Sequence, residues 1–413
     1  MVTVRPFRAI RPRDEIASKV AAYPYDVLNS EEARELAKDN PISFLHINKP
    51  EIDLPKGTDL YDDSVYAKGK ENFQKMMKEG TLVQDKEPHL YIYRQVMNGH
   101  EQYGIVGCAS ADDYNNDLIK KHELTRKKKE DDRTRHVIEL NINAGPVFLT
   151  YRDNKRIDEL VAEVVKNTPE VDFTADDGIR HTVWVIKDNK INNELTGTFY
   201  NEVPLLYVAD GHHRSASAAR AKAERMKNDP HWNPEKEYNF FLAVFFPATQ
   251  LKILDYNRVL LTMNGLTKEE FMKKVLEKFE IVREGEARPR CAKEFGLYMD
   301  KKWITIKAKD GTFPADDPIE SLDVAILQNN LLAPILGIGD PRSDEKIDFV
   351  GGIRGTEELE KRVDSGECTM AFSMFPTSIE QLMSVADAGR IMPPKSTWFE
   401  PKLRSGLLVH ILD

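Results

Sequence analysis

The sequence predicts an α/β (α+β) protein, and three observations carry that reading. Strand-like and helix-like segments alternate along the chain, which is the pattern of sheets covered by helices. Hairpin signals are isolated, as at Asn98-Gly99, so the strands do not form one all-β array. No internal repeat and no low-complexity tract interrupts the pattern.

The elements follow in order. Val2, Val4 and Ile10 mark a short first strand, with Pro6 near its edge. Pro24 pushes Tyr23 out of the helical region, so residues 21–27 read as extended. Asn29 as N-cap and Glu32 three positions on open a helix to about Lys38. Residues 48–58 are a Pro-dotted loop, and Val65, Phe73, Met76 and Met77 give residues 61–79 a helical period. Two strands, 89–96 and 101–109, flank the Asn98-Gly99 turn. A helix is expected over 112–121, then a dense charged block to Arg135, then extended chain over 137–151. Ile157, Leu160, Val161, Val164 and Val165 define an amphipathic helix over 156–166. Strands at 182–187 and 204–209 flank a loop, and a helix runs over 212–227. Apolar strands are read at 240–246 and 252–261. Beyond them come helices at 266–279 and 323–336, a strand at 304–307, a Gly-rich turn at 351–355 leading into a helix, a strand at 370–375 and a helix at 379–387. The expected division is an N-terminal α/β part (1–110), a core (111–262) and a C-terminal α/β part (263–413), with segments that interleave.

Composition excludes several classes. The chain has 413 residues with a net charge of −9, against the basic excess of dedicated nucleic-acid binders. Its three cysteines, Cys108, Cys291 and Cys368, are scattered and form no C-x-x-C pair, which argues against a disulfide framework or a thiolate zinc site. Met1 to Arg13 lacks the apolar segment of a signal peptide, and no stretch approaches 18 apolar residues. The expectation is a reduced, cytoplasmic protein with no nucleic-acid or membrane partner and a homodimer as the assembly to test.

Three constellations can carry chemistry. In the first, an apolar strand ends at Asp210, Gly211 permits a tight turn, and His212, His213 and Arg214 open an Ala-rich helix. A helix start offers free N–H groups and partial positive charge to an anion, and basic side chains there add donors for phosphate. Asp210 stands beside them as a base or metal ligand. The competing reading is an ordinary strand-to-helix turn. The second constellation is the block Ile119 to Arg133. If it is helical, His122, Arg126 and Lys129 share a face, one able to clamp polyphosphate while Glu or Asp holds Mg²⁺. Its competitor is a solvated helix laced with surface ion pairs. The third is the tail Met392 to Gly406, where three prolines fix an extended loop. There Lys395, Ser396 and Thr397 have the chemistry of anion ligands, against the alternative of a rigid packed loop. The Gly351 to Gly355 turn lacks both the P-loop ending and the G-x-G-x-x-G spacing. No G-x-S-x-G is present, so a hydrolase nucleophile elbow has no support.

These motifs together resemble one family. Ala22-Tyr23-Pro24-Tyr25-Asp26-Val27, the Ile119 to Arg133 block, Ala209 to Arg214 and the Met392 to Gly406 tail look like the bacterial and archaeal family catalogued as domain of unknown function 1015. The resemblance covers nearly the whole chain. Relatives commonly carry Pro-Pro-Tyr-Asp at the first motif, where this chain has Tyr23 before Pro24. The Asp-Gly-His-His-Arg turn is also similar to the ParB/sulfiredoxin superfamily, nearest its free serine kinase branch. Sulfiredoxin needs a cysteine in the turn, where this chain has His212 or His213. Chromosome partition needs a helix-turn-helix and a basic surface, and neither is evident.

The resemblance implies a ParB/sulfiredoxin-like core, with additions at both ends, that binds a nucleotide phosphate. It implies a phosphotransferase interconverting free serine and O-phosphoserine with ATP or ADP and Mg²⁺. Asp210, Asp26, Glu123 and His122 would be catalytic. Gly211, His212, His213, Arg214, Thr125, Arg126, Lys129, Arg133, Lys395, Ser396, Thr397 and Arg404 would hold phosphate or nucleotide. Asp132, Glu130 and Asp210 would hold the metal. The alternatives are a phosphoserine phosphatase or a nucleotide-binding switch with no small-molecule acceptor.

Overall fold

A mixed sheet of nine strands forms the scaffold of the larger part of the chain. Eight lie in one path: Ile119–Lys120, Leu206–Asp210, Val147–Tyr151, Phe240–Pro247, His100–Ser110, Tyr91–Met97, Arg180–Val185 and Val171–Thr174. Val4–Arg5 adds to His100–Ser110 off that path. Leu206–Asp210 runs parallel to Ile119–Lys120 and antiparallel to Val147–Tyr151. The central strands are buried on both faces, which explains why Phe240–Pro247 reads as a continuous apolar run rather than an alternating one. Ile105, Leu149, Leu206, Val208, Phe241 and Phe245 form the center of that core.

The computed structural model describes residues 1–413 and divides into two compact units. The first comprises Met1–Leu251 together with Pro401–Asp413; the second is Lys252–Glu400. The break expected near residue 110 falls inside the first unit, where His100–Ser110 is a central strand. The second expected break, near 262, falls inside the second unit, just after the strand Tyr256–Leu260. The last residues return to the first unit by backbone pairing: Ser405 bridges Ala22, Val409 bridges Ile10, and His410–Ile411 pairs with Ile142–Asn143. The second unit holds a six-stranded antiparallel sheet ordered Phe279–Glu284, Lys302–Ala308, Glu294–Met299, Met370–Met374, Tyr256–Leu260, Ile347–Gly351.

Several local expectations are corrected. The helix expected over 112–121 is a single turn, Ala111–Asn115, because Asp117 turns left-handed and Ile119–Lys120 joins the sheet. The extended stretch expected from Val137 begins later, since residues 127–135 of the charged block open a helix, Lys127–Leu140; His122 and Arg126 lie ahead of it, so they share no helical face with Lys129. The loop expected before residue 204 contains the helix Asn189–Glu202, capped by Asp188. The helix over 323–336 is an α-helical turn, Asp323–Leu327, continued by a π-helical turn, Gln328–Leu332. The strand over 252–261 is two, Lys252–Leu254 and Tyr256–Leu260. The Asn29–Glu32 capping box forms as the spacing predicts. All three cysteines are free. No helix is long and apolar enough to cross a membrane.

Candidate phosphate-binding site

The site begins at an irregularity. The register between Leu206–Asp210 and Val147–Tyr151 shifts between Val208 and Asp210, and such a bulge re-aims the side chain that follows it. Gly211 then takes a left-handed conformation, φ +98°. A side chain there would be strained, and its Cβ would lie 3.1 Å from Arg214 Nε. The helix His212–Asn228 starts at once, and no side chain caps it. The start of this 17-residue helix, its positive end, thus has no side-chain cap for its first-turn N–H groups.

Asp210 and Arg214 form the center. Arg214 Nη2 donates to Asp210 Oδ2 at 3.1 Å and lies 3.8 Å from Asp26. Its Nη1 donates to the carbonyl of Pro146, while its buried Nε has no partner. Lys402 Nζ stands 3.7 Å from Asp210. Burial works to raise the Asp210 pKa. Lys402, Arg214, His212 and the Gly211 N–H outweigh it and hold the carboxyl well below the usual range. Burial also works against the charge on Arg214, but Asp26 and Asp210 sustain it. Tyr25, buried beside Asp26, is pushed above its ordinary range, chiefly by burial.

The 119–133 block packs against this turn. His122 meets His212 edge-to-face, with ring centroids 4.4 Å apart. Both are buried, and His122 Nδ1 and His212 Nε2 have no partner. Burial pulls His122 down to about 4, against the opposing pull of Asp210 and the Val208 backbone. Burial and then His122 put His212 well below its ordinary value. His212 is thus packed against His122 with its Nε2 unmet, inside the turn rather than on its open face. His213 is partly exposed and accepts a 3.0 Å bond at Nε2 from the Arg126 N–H; burial, then Lys129, lowers its pKa. Glu123 lies 3.8 Å from His212 and is mostly exposed. Thr125 donates to Glu130, which also pairs with Arg220. Arg126 and Lys129 are exposed and act electrostatically on His213, so they form the cationic rim of the turn.

Other expected ligands are committed elsewhere. Asp132 is held by Arg133 at 2.7 Å and by the Tyr66 hydroxyl at 2.7 Å. Arg133 stacks on Tyr25 at 4.2 Å. Asp132, Glu130 and Asp210 are each bound to cations, and no group of three or more His, Cys, Asp or Glu side chains converges anywhere as a metal cage. The donor set expected for Mg²⁺ therefore does not fit as a preassembled site. Arg404 is buried on Asp177 and covers the Tyr23 ring at 3.6 Å. That arrangement corrects its assignment as a phosphate ligand. Lys395, Ser396 and Thr397 belong to the second unit. There Ser396 donates to Pro393, and Lys395 Nζ lies 5.3 Å from the Tyr256 ring center.

Sequence reasoning missed Lys402 and Pro146. Lys402 sits in the tail motif, but only the fold brings that segment back to Asp210, through the pairing of Ser405 with Ala22 and the Gln95 amide that donates to the Lys402 carbonyl. Pro146 follows Gly145, a turn signal that was legible without any clue to its partner.

The chain belongs to the family described as protein of unknown function DUF1015, whose model matches residues 4–325. Comparison with curated proteins finds no match. Among solved structures, the chain is similar to a free serine kinase in complex with AMP at 14% identity and a TM-score of 0.35, covering 72% of this chain and 86% of that one. SbnI with a C-terminal truncation from Staphylococcus aureus gives 12% identity and a TM-score of 0.36, over 74% and 87%. A conserved hypothetical protein from Pyrococcus furiosus gives 12% and 0.35, over 75% and 95%.

Proposed function

We propose that the chain is a phosphotransferase interconverting free serine and O-phosphoserine with ATP or ADP as the nucleotide partner, on a ParB/sulfiredoxin-like core. One observation carries the reading. A carboxylate, Asp210, is held between Lys402 and Arg214 at a helix start that no side chain caps. Phosphoryl transfer asks a protein mainly for positioning and charge neutralisation, and this turn supplies both. The helix N-terminus, Arg214 and Lys402 would neutralise the transferred phosphoryl group, and the Arg126 and Lys129 rim would hold the remaining phosphates. A carboxylate held so far below its ordinary range is a weak base. Asp210 therefore orients the acceptor hydroxyl, and Asp26, across Arg214, takes its proton. Run backwards, the same groups release serine from O-phosphoserine.

The test is ³¹P NMR of the protein with ATP or ADP, Mg²⁺ and a pool of hydroxy amino acids. A new phosphomonoester resonance that requires serine is expected. Nucleotide binding with no phosphomonoester from any acceptor would replace this reading with the nucleotide-switch reading.

A further inference from the structure

A cavity adjoins the site in the first unit. Tyr25, Asn48, Arg133 and Arg214 line its polar side, and Val147 and Phe241 its apolar side. The cavity is small, about 40 Å³.

The chemistry of the lining is one-sided. Arg133 and Arg214 both bear on the cavity, and neighboring carboxylates keep both charged against burial. No aspartate or glutamate lines it. Its one histidine, His136, is buried, bonded through Nε2 to the Ile47 carbonyl, and so adds no charge. Asn48 is only 4% exposed, and its Nδ2 donates to nothing. A buried donor left unmet costs about 1–3 kcal/mol, and a water, an ion or a ligand can meet it. Both arginines are paired with carboxylates outside the lining, Arg133 with Asp132 and Arg214 with Asp210, so the lining presents donors and a free amide N–H but no acid, which favors an anion. On the phosphotransfer reading the helix start takes the phosphate, which leaves this cavity to the acceptor's own anion.

We infer that this cavity is the carboxylate pocket of the acceptor, so that the substrate class is a small hydroxy amino acid rather than a simple alcohol or a sugar. The inference rests on the phosphotransfer reading for the identity of the acceptor. The carboxylate bonds to Asn48 Nδ2 and is neutralised by Arg133 and Arg214. Arg214 is shared by both compartments. One guanidinium thus faces the acceptor's carboxylate on one side and Asp210 on the other. The apolar wall of Val147 and Phe241 excludes water and sharpens the attraction. An acceptor without a carboxylate leaves Asn48 unmet and the arginines facing an empty apolar chamber, which is the condition under which polar sites discriminate most strongly.

The experiment is equilibrium titration of the full chain with three probes: L-serine, ethanolamine (serine without its carboxylate) and inorganic phosphate. L-serine is expected to bind at least tenfold more tightly than ethanolamine. Asn48→Ala and Asn48→Asp are expected to lose at least tenfold in L-serine affinity while phosphate affinity stays within twofold. If the buried aspartate prevents folding, Asn48→Ala decides alone. Equal binding of ethanolamine and serine overturns the inference. So does L-serine affinity that Asn48→Ala leaves unchanged. Serine binding that depends on Asn48 without any phosphomonoester would leave the pocket standing and remove the phosphotransfer reading. Transfer to ethanolamine as fast as to serine would do the reverse.

Discussion

Each unit buries an arginine, and the two are held differently. In the first unit Arg214 lies between Asp210 and Asp26, bonds the Pro146 carbonyl and keeps Nε unpartnered. In the second, Arg258 is 4% exposed, donates to the carbonyls of Tyr256 and Lys395 and lies 5.5 Å from the center of the Phe349 ring. No carboxylate sustains its charge, and burial pulls its pKa down to about 10. Both cations are costly to bury. Arg258 is spent on backbone carbonyls and ties the loop at Lys395 to the strand Tyr256–Leu260. Arg214 balances two acids beside an open helix start and retains a free donor, the arrangement of a group awaiting a ligand. Histidine divides the units in the same way: all ten lie in the first and none between residues 252 and 400.

That division predicts the largest effect. Burial lowers His122 and His136 to about 4 and His181 to about 3, and lowers His212 as well. The unfolded chain protonates near pH 6.5, before the folded one does. Stability is therefore complete above pH 6.5 and falls as pH drops from 6.5 toward 4. The loss is about 2 kcal/mol for each of His122, His136 and His181 by pH 5, and His46, raised by its bond to Asp53, opposes it. Urea unfolding followed by tryptophan fluorescence separates the units, since Trp184 and Trp232 report on the first and Trp303 and Trp398 on the second. Between pH 6.5 and 5 the first unit's midpoint should fall steeply while the second's stays nearly level, because the shifted acids of the second, Glu294 and Asp317, cost it stability only below that range. Parallel falls in both would break the comparison.

Next in size are the substitutions at the phosphate turn. Arg214→Met removes the cation shared by two aspartates and should destabilise the first unit by about 3 kcal/mol. Arg214→Lys should not recover it, because one ammonium cannot bond the Pro146 carbonyl and Asp210 in the same fork. Asp210→Asn should reduce transfer by about a hundredfold or more. The competing sequence reading, an ordinary strand-to-helix turn, would let Asn replace Asp210 at little cost. The structure shows no side-chain cap there and places Asp210 between two cations, so a loss of about 2 kcal/mol is expected as well. Thermal melts and turnover of the same proteins check both numbers.

How much of this was legible follows from the range of the interactions. The Asn29–Glu32 cap, the Gly211 turn and the helix start after it are set by neighbors a few residues apart, and the sequence shows them. The helix Asn189–Glu202 was hidden because two of its four buried positions, Asn192 and Thr198, are polar. The helix Lys127–Leu140 was hidden because its exposed charges outnumber Thr134, His136 and Leu140, the residues it buries. The packing of His212 depends on burial and on His122, and the low pKa of Asp210 depends on Lys402. Both partners come from distant segments that only the fold brings near.

A smaller effect is expected at the other arginine. Arg258→Met relieves a buried charge but leaves the carbonyls of Tyr256 and Lys395 without donors, each costing about 1–3 kcal/mol. The two terms oppose, so a net loss of about 2 kcal/mol is expected, confined to the second unit's unfolding transition. Inorganic phosphate affinity should be unchanged. A loss of phosphate affinity with a normal melt would give Arg258 a binding role and erase its contrast with Arg214.

The smallest effect is expected at Lys395, and it bears on the tail motif directly. Lys395 is exposed and left-handed at φ +59°, a conformation that glycine adopts without strain. Its ammonium lies 5.3 Å from the Tyr256 ring center, an exposed cation–π contact worth about 0.5–1 kcal/mol. Lys395→Gly loses that contact and relieves backbone strain of similar size, so the second unit's stability should change by no more than about 0.5 kcal/mol. The variant therefore removes the charge with the fold held constant. A packed, structural loop predicts phosphate affinity and turnover equal to those of the parent. A loop that delivers an anion ligand predicts a several-fold loss of phosphate affinity at an unchanged melting temperature. The second outcome would assign Lys395 to the phosphate-binding groups and show that the second unit, not only the first, supplies charge to the reaction.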